Sequence, residues 1–434
     1  MIEKAADRDL VARYVEKVRE TVDESRLTAA TPADSVDEAL PPTAIAPSTA
    51  SSAVYLSRDP ATSLIQSAVE EQAAGQPIDA PPRSALGRLF QRVLNFFDSL
   101  LHPGRFTPDD PNWVIKIGES MIGRLAAGNH PFNPEPARYP ISGSARLVVV
   151  SDWGTGLPDA QAVGSAMADA VAEGLTQGRD VHVIHLGDVY YSGLPNEYQR
   201  HVLPYWPVTA AQQAAGVTSW SLNGNHDMYS GGFGFFGTLL ADPRFVHQRV
   251  ADTPTSWFHL TSPKWEFVAL DTAWNTEVLS SGNVGVLTDP QAAYVRSVAS
   301  VPRTKIALLS HHQYVTAYEH EDIGPELGQK LGPVLDTGAV RAWWWGHEHR
   351  CMTFNAWGGI QYPRCIGNGG VPTIAHDPDA PIPEPGAWEY RGAVDRDGER
   401  WARFGFTVLD LNGDTIHASY RDEDGNEVLA EDVD

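Results

Sequence analysis

The chain has 434 residues, 42% of them hydrophobic and 20% charged, values typical of a globular protein with a sizeable core. Its formal net charge of -23 argues against a nucleic-acid backbone or an anionic membrane surface as a partner, because both attract Lys and Arg. Residues 1–30 are charged throughout and lack the apolar core of a signal peptide, and no run reaches the roughly 18 apolar residues of a membrane span. We therefore expect a soluble, cytoplasmic protein.

Residues 1–140 are predicted to form a helical, linker-like extension. Apolar residues at helical spacing over 1–30 precede a stretch over 31–61 that is rich in Ala, Pro, Ser and Thr. Ser84–Leu101 predicts an amphipathic helix with one apolar stripe. Since only Arg88 and Arg92 are positively charged in this helix, packing on the main domain is favoured over a membrane surface. Residues 141–434 are predicted to form that main domain.

From Ala145 the pattern alternates between strand and helix. An apolar strand over 147–150 is followed by a helix from Pro158 to about Leu175 and by a second apolar strand over 181–186. Such alternation predicts a sheet with helices on its outer faces, and ligands of such sheets bind at the carboxyl ends of the strands. Near the end of the chain, Asn412-Gly413-Asp414 separates two apolar strands and predicts a β-hairpin.

Five predicted strands each end in a tight loop that carries metal-binding side chain types. The loops contain Asp152, then Asp188 with Tyr190 and Tyr191, then Asn225-His226-Asp227, then His311-His312, then His347-Glu348-His349. Carboxylate, carboxamide, imidazole and phenol groups together suit two adjacent metal ions. Two ions about 3.5 to 4 Å apart can activate a water and polarise a phosphoryl oxygen. The series therefore predicts a binuclear metal centre.

Each of these residues alone also has an ordinary structural interpretation. Asp152 is compatible with a helix cap or a turn, and Asn225 in an Asn-Gly-Asn turn is compatible with turn chemistry alone. His182 and His185 precede Asp188 within the strand and are expected to pack rather than to bind metal. It is the ordered series of five complementary donor sets that favours the metal centre.

Two other features leave alternatives open. The glycine-rich loop over 231–237 does not follow a strand into a phosphate-binding turn, so a structural or site-lining loop is favoured over a nucleotide loop. A disulfide between Cys351 and Cys365 is compatible with the sequence but is not required by it.

The motif series resembles that of the calcineurin-like metallophosphoesterases over about residues 145–420. The matching segments are Gly187-Asp188, Gly224-Asn225-His226-Asp227, His311 and Gly346-His347-Glu348-His349. The first motif departs from the usual Asp-X-His, since Asp152-Trp153-Gly154 has Gly in the His position, while Gly187-Asp188-Val189-Tyr190-Tyr191 is similar to the Gly-Asp-X-X-Tyr motif of the purple acid phosphatase branch. The resemblance implies a four-layer α/β/β/α sandwich of two mixed sheets and hydrolysis of phosphate esters.

The same resemblance implies a role for individual residues. Site one would use Asp152, Tyr191 and His349 and hold Fe(III), because a phenolate is a hard anionic ligand. Site two would use Asn225, His311 and His347 and hold Fe(II), Zn(II) or Mn(II), and Asp188 would bridge the two ions. Tyr191 is chosen over Tyr190 by the motif spacing alone.

Acid catalysis would come from histidines beside the metals. His226 would donate a hydrogen bond to the phosphoryl group or protonate the leaving oxygen, with Asp227 orienting its ring. His320 is a second acid candidate, for which a surface histidine is the alternative, and His312 is the rival for either role.

Three functional hypotheses follow. The first is a phosphomonoesterase of the purple acid phosphatase type that acts on a small phosphorylated substrate. The second is a phosphodiesterase or nucleotide hydrolase, with the aromatic stretches Gly231–Phe236 and Trp343–Trp345 stacking on a base. The third is a non-catalytic scaffold that uses the fold as an interaction surface. The physiological substrate, the second metal, the oligomeric state and the role of residues 1–140 stay open.

Overall fold

A computed structural model describes Ser63, Ser67 and residues 129–275, 284–302, 305–318, 325–396 and 398–434. These residues belong to a compact unit that is formed by residues 53–67 and 126–434. The predictions for residues 1–62 and 84–126, and the proposed acid His320, lie outside the described residues. Within the described part, no helix is long and apolar enough to cross a membrane.

The described residues form eighteen strands, six α-helices and three short helical turns. The strands are β1 Ala137–Pro140, β2 Arg146–Val150, β3 Val181–His185, β4 Thr218–Ser221, β5 Arg249–Val250, β6 Thr253–Pro254, β7 Phe258–Thr261, β8 Trp265–Leu270, β9 Lys305–Ser310, β10 Val340–Trp345, β11 Cys351–Phe354, β12 Tyr362–Ile366, β13 Gly386–Glu389, β14 Ala393–Arg396, β15 Glu399–Ala402, β16 Gly405–Asn412, β17 Thr415–Asp422 and β18 Glu427–Val433. The helices are α1 Pro158–Thr176, α2 Pro195–Glu197, α3 Ala210–Ala214, α4 Asn225–Tyr229, α5 Asp289–Ala299 and α6 Pro325–Leu335, with π-helical turns at Tyr198–Val202 and Phe235–Leu239 and a 3₁₀ turn at Pro243–Phe245.

Two large mixed sheets form the centre of the molecule. One has six strands in the order β18-β17-β16-β2-β3-β4, and the other has eight in the order β1-β7-β8-β9-β10-β12-β11-β13. In the first sheet β2, β3 and β4 are parallel, whereas β16, β17 and β18 are antiparallel. β1 pairs with β7, so the eight-stranded sheet already includes residues 137–140, which precede the domain boundary predicted at residue 141.

Alternating side chains along the strands divide the core into layers. In β2, Leu147 and Val149 pack between the two sheets, whereas Val148 and Val150 pack against α1 on the outer face. The outer face of the eight-stranded sheet packs against α5 and α6 through residues such as Leu308 and Leu331. Because successive side chains of a strand point to opposite faces, a strand that is apolar throughout is buried on both. This arrangement confirms the predicted four-layer α/β/β/α sandwich.

The hairpin that follows His349 explains the state of the two cysteines. β11 and β12 are antiparallel, with Met352 opposite Cys365. Cys351 packs in the core between the sheets, and Cys365 packs in the outer core. The two thiols therefore lie on opposite faces of the sheet, and both are free and buried.

The sheet order brings the five predicted loops together. Asp152, Asp188 and Asn225 follow the parallel strands β2, β3 and β4, and their loops therefore leave the same edge of the six-stranded sheet. His311 and His347 follow β9 and β10, which are also parallel to each other. The carboxyl ends of these two groups of strands carry the candidate site.

Candidate metal centre

The backbone at the candidate site adopts conformations that most residues avoid. In the described part of the chain, six non-glycine residues have a positive φ, and four of them are predicted metal ligands. Their φ angles are 56° at Asp152, 76° at Asp188, 68° at His347 and 54° at His349. Such conformations cost free energy and cluster at functional sites, where the surrounding structure holds them. The tight loops at these strand ends therefore orient the side chains of the predicted ligands.

Two buried carboxylates lie at the centre of the site. Both Asp152 and Asp188 are 0% exposed. Asp188 Oδ1 accepts the backbone N–H of His226 at 2.9 Å, and its Oδ2 lies 3.4 Å from His311 Nε2. Asp152 Oδ2 accepts the backbone N–H of His347 at 2.8 Å, while its Oδ1 lies 3.5 Å from His349 Nε2. Backbone bonds thus fix one oxygen of each carboxylate and leave the other among the imidazoles.

Acceptor atoms converge on Nε2 of His311, which lies beside Asp188. His311 Nδ1 donates to the Leu186 carbonyl at 3.1 Å, which leaves Nε2 as the nitrogen that faces the site. That Nε2 lies 2.9 Å from Asn225 Oδ1 and 3.2 Å from His347 Nδ1. The Asn225 amide is held in this orientation because its Nδ2 donates to the Tyr229 hydroxyl at 2.7 Å. A proton or a metal cation is needed between such converging lone pairs.

The spacing of the donor atoms fits metal binding. Asp152, Asp188 and His311 each present one ligand atom, and these atoms lie within 4.8 Å of one another. A second group, His311, His312 and His347, meets the same limit, and all of these residues are buried. His312, the rival acid candidate, also contacts Thr272 Oγ1 through Nδ1 at 3.0 Å. These donor groups therefore fit the binding of a metal ion.

Three glycines lie so close to the Asp152 and Asp188 carboxylates that a larger residue would crowd them. A Cβ atom at Gly224 would collide with the Asp188 carboxylate, and one at Gly346 would collide with Ser151 Oγ and Asp152 Oδ2. At Gly367 a Cβ would stand 3.0 Å from Asp152 Oδ2. The glycines that precede Asn225 and His347 in the motifs are thus required by close packing around the two carboxylates.

The phenol among the donor atoms belongs to Tyr190. Its hydroxyl donates to Asp188 Oδ2 at 3.0 Å, and it also lies 3.1 Å from His349 Nε2 and 3.4 Å from Asp152 Oδ1. Tyr191, which the motif spacing favours as the ligand, contributes backbone groups to other contacts. Its N–H donates to Glu197 Oε1 at 2.7 Å, and its carbonyl accepts from His226 Nδ1 at 2.6 Å.

His226 lies beside the carboxylates, and its ring is held by neighbours other than Asp227. Its Nε2 is 4.0 Å from Asp188 Oδ2, and its Nδ1 donates to the Tyr191 carbonyl. The Asp227 carboxylate accepts the backbone N–H groups of Asp188 at 2.8 Å and Gly224 at 2.7 Å, and it also accepts from the Tyr198 hydroxyl. Asp227 therefore ties two motif loops together, and the Tyr191 carbonyl has the orienting role that was expected of Asp227.

The buried charges shift the acidities of the site. Burial raises the pKa of the Asp188 carboxyl, but the charges of His311 and His226 outweigh this and hold the pKa well below its usual range. Burial lowers the pKa of His311, yet Asp188 outweighs burial and raises that pKa to about 9. Burial and the neighbouring Asp188 raise the pKa of Asp227 to about 7. A proton on His311 thus neutralises part of the negative charge of the buried carboxylates. A bound cation would neutralise the same charge.

Three contributors to the site are not apparent from the sequence. Glu197 is fully buried and accepts backbone N–H groups from the loop of Tyr190. The Leu186 carbonyl and the Tyr229 hydroxyl orient His311 and Asn225. A backbone carbonyl leaves no sequence signal, and Glu197 and Tyr229 lie outside the motif series, so only the fold identifies them.

One comparison, with a family of known proteins, agrees with this chemistry. Residues 145–351 match the model of the calcineurin-like phosphoesterase family, which supports phosphoester hydrolysis by a metal-dependent enzyme. No curated protein sequence matches the chain.

Solved structures that match part of this chain share little sequence with it. GAP50, described as the anchor in the inner membrane complex of Plasmodium, is 11% identical with a TM-score of 0.45, over 67% of this chain and 89% of that chain. The 5'-nucleotidase from Candida albicans is 12% identical with a TM-score of 0.31, over 66% of this chain and 54% of that chain. A cold-active protein-tyrosine phosphatase of Shewanella is 12% identical with a TM-score of 0.30, over 69% and 83%. Identities this low do not transfer an activity to this chain.

Proposed function

We propose, from the match of residues 145–351 to the calcineurin-like phosphoesterases, that this protein hydrolyses phosphomonoesters at a binuclear metal centre of the purple acid phosphatase type. One observation carries the proposal: the Tyr190 hydroxyl lies 3.0 Å from Asp188 Oδ2 and 3.1 Å from His349 Nε2. A phenol among carboxylates and imidazoles is a hard anionic ligand once it loses its proton, and such ligands favour Fe(III).

The proposed ligands divide into two sites that share one carboxylate. Site one would consist of Asp152, Tyr190 and His349, site two would consist of Asn225, His311 and His347, and Asp188 would contribute to both. Tyr190 takes the place of Tyr191 in this assignment, because the Tyr190 hydroxyl has the contacts with Asp152, Asp188 and His349. We assign Fe(III) to site one and Fe(II), Zn(II) or Mn(II) to site two. Two such ions would polarise the phosphoryl group and activate water.

His226 is the proposed acid. Its Nδ1 is committed to the Tyr191 carbonyl at 2.6 Å, so Nε2 is the nitrogen that remains for the substrate. This Nε2 lies 4.0 Å from Asp188 Oδ2, which puts it beside the proposed bridging carboxylate. From this position a protonated ring can donate to a phosphoryl oxygen or to the leaving oxygen. Packing against Tyr190 and Tyr229, at ring centroid distances of 4.3 Å and 4.7 Å, keeps the ring in place.

Most of the aromatic residues that were expected to stack on a base, as in a diesterase or nucleotide hydrolase, are buried. Trp343, Trp344 and Trp345 are each 0% exposed, because they form β10 and pack alternately on its two faces. Phe235 and Phe236 are also buried, and Phe233 is the exposed aromatic residue of that loop. None of the three tryptophans can stack on a base. The monoesterase is therefore the proposed activity, and diester hydrolysis is an outcome of the test below.

The proposal is tested by comparing an aryl phosphomonoester with a bis-aryl phosphodiester as substrates of the metal-loaded full chain. We expect faster turnover of the monoester, and we expect the Asn225→Ala variant to lose it. Asn412→Ala, at the exposed end of β16, is the matched control and should keep full activity. Faster diester turnover would favour the second hypothesis. Cleavage of neither ester with any divalent metal would favour the scaffold hypothesis.

A further inference from the structure

A buried glutamate holds the loop that carries Tyr190 and Tyr191. Glu197 is 0% exposed, and its Oε1 accepts the Tyr191 N–H at 2.7 Å. Its Oε2 accepts the N–H groups of Ser192 at 3.1 Å and Leu194 at 2.8 Å. One carboxylate therefore fixes three backbone amides of the segment 191–194. A buried carboxylate is costly unless donors satisfy it, so this arrangement depends on every donor that it has.

The fourth donor comes from a remote part of the chain. The Ser67 hydroxyl donates to Glu197 Oε1 at 2.5 Å, across 130 positions of sequence. The same hydroxyl lies 2.6 Å from Ser192 Oγ, which can donate to it. Ser67 is 1% exposed, and Ser63, whose carbonyl lies 3.2 Å from Ser67 Oγ, is 0% exposed. All four donors to Glu197 are neutral, so the loss of one leaves the buried carboxylate poorly compensated.

The held loop connects directly to the proposed catalytic groups. The N–H of Tyr191 belongs to the peptide that follows Tyr190, and the Tyr191 carbonyl orients His226 at 2.6 Å. The carbonyl of the same peptide, that of Tyr190, accepts from His201 Nδ1 at 2.7 Å. A small shift of the loop would therefore move both the Tyr190 phenol and the His226 ring. Displacement of reacting groups by about 1 Å can reduce turnover by about a hundredfold.

We propose that Ser67 is a positioning residue for the active site: through Glu197 it fixes the 190–194 loop and thereby sets the Tyr190 phenol and the His226 ring. The inference rests on the proposed function for its effect on turnover. It gives the segment around Ser63 and Ser67 a part in the chemistry, although that segment precedes Asp152 by more than eighty positions. The site then includes a side chain from the region that the sequence pattern assigns to a linker-like extension.

The test compares Ser67→Ala and Ser67→Thr in the full chain, with Ser63→Ala as the control. Ser63→Ala removes a hydroxyl of the same segment but keeps the carbonyl that contacts Ser67. The first readout is hydrogen–deuterium exchange over 188–197, with α1 as the internal reference. The second is kcat and KM for an aryl phosphomonoester. Exchange does not depend on activity, so it separates a failure of this inference from a failure of the proposed function.

For Ser67→Ala we expect faster exchange in 188–197 and unchanged exchange in α1, because the Glu197 bonds weaken. We expect kcat to fall about tenfold with little change in KM, since positioning and not substrate affinity is lost. Ser67→Thr keeps the hydroxyl and should retain both properties, as should Ser63→Ala. Unchanged exchange in Ser67→Ala, or equal effects of Ser63→Ala, would overturn the inference. If the wild type hydrolyses no ester, the proposed function fails. The exchange result alone then supports or overturns the role of Ser67 in fixing the 190–194 loop.

Discussion

The hydroxyl of Tyr190 lies 3.1 Å from Nε2 of His349, although the two residues are 159 positions apart in the chain. Tyr190 follows β3 of the six-stranded sheet, and His349 follows β10 of the eight-stranded sheet. The contact therefore joins the loops of the two sheets across the site. A ligand set drawn from both sheets forms only when the sandwich is folded, so metal binding and folding should stabilise each other.

Asp188 is proposed to hold both ions. We expect Asp188→Asn to lower the metal content from about two ions per chain to one or fewer. We expect hydrolysis to fall on the order of a thousandfold, because an amide supplies neither the charge nor a second anionic oxygen. Elemental analysis and turnover on the same samples measure both effects. Asp180→Asn, immediately before β3 and remote from its carboxyl end, is the control and should keep metal and activity. Two ions in Asp188→Asn would contradict the bridging role.

Gly224 tests whether close packing around Asp188 shapes the centre. Its φ of -103° suits alanine, so an effect of Gly224→Ala would come from crowding and not from the backbone. The added methyl group would stand 2.8 Å from the carboxyl carbon of Asp188. We expect metal affinity to fall about 10- to 100-fold and the free energy of unfolding to fall by about 1–3 kcal/mol.

Calorimetric titration and denaturant unfolding measure these two quantities. Gly237→Ala is the matched control, because a Cβ at that position meets nothing within 4 Å. It should leave metal binding intact and change stability by less than about 1 kcal/mol. Equal metal affinities of Gly224→Ala and the wild type would show that the carboxylate can move without loss of the site.

The buried carboxyl of Asp271, which follows β8, should make the stability of the protein depend on pH. Burial raises the pKa of its carboxyl to about 6, despite hydrogen bonds from Ser256 and from the Trp274 N–H. A folded-state pKa above the unfolded value means that the folded state binds the proton more tightly, so stability is lost as pH rises through this range. Between about pH 4 and pH 7, we expect the wild type to lose about 3 kcal/mol relative to Asp271→Asn.

Denaturant unfolding of the metal-free chain at several pH values measures this difference. Asp414→Asn is the control, because the Asp414 side chain is 65% exposed in its turn. A wild type that instead gains stability relative to Asp271→Asn as pH rises would mean that the hydrogen bonds stabilise the carboxylate more than burial destabilises it.

Much of the fold follows from local patterns. The helix predicted from Pro158 corresponds to α1, and the hairpin predicted around Asn412-Gly413-Asp414 corresponds to β16 and β17. Both patterns are local, one in helical periodicity and one in turn chemistry. The three consecutive tryptophans misled the functional interpretation because a continuous apolar run does not distinguish a strand buried on both faces from an exposed aromatic surface. Burial in two separate cores depends on the neighbouring strands and helices.

The site was predictable in its donor types and less so in its detailed contacts. The ends of parallel strands meet at one edge of a sheet, so the grouping of Asp152, Asp188 and Asn225 could be expected from their order, whereas the approach of His311 from the second sheet could not. Which of two adjacent tyrosines faces the site depends on the turn after Asp188, and motif spacing does not specify that turn. The contact between Ser67 and Glu197 has no sequence signal, because it joins residues 130 positions apart.

The visible absorption spectrum of the iron-loaded protein tests the assignment of Tyr190 most directly. A tyrosinate bound to Fe(III) gives a charge-transfer band, so the wild type should be coloured. Tyr190→Phe should lose the band and most of its activity, whereas Tyr191→Phe should keep both, because the backbone groups of Tyr191 that contact Glu197 and His226 are unchanged. Loss of the band in Tyr191→Phe alone, or an iron-free and colourless wild type that is fully active, would contradict the account.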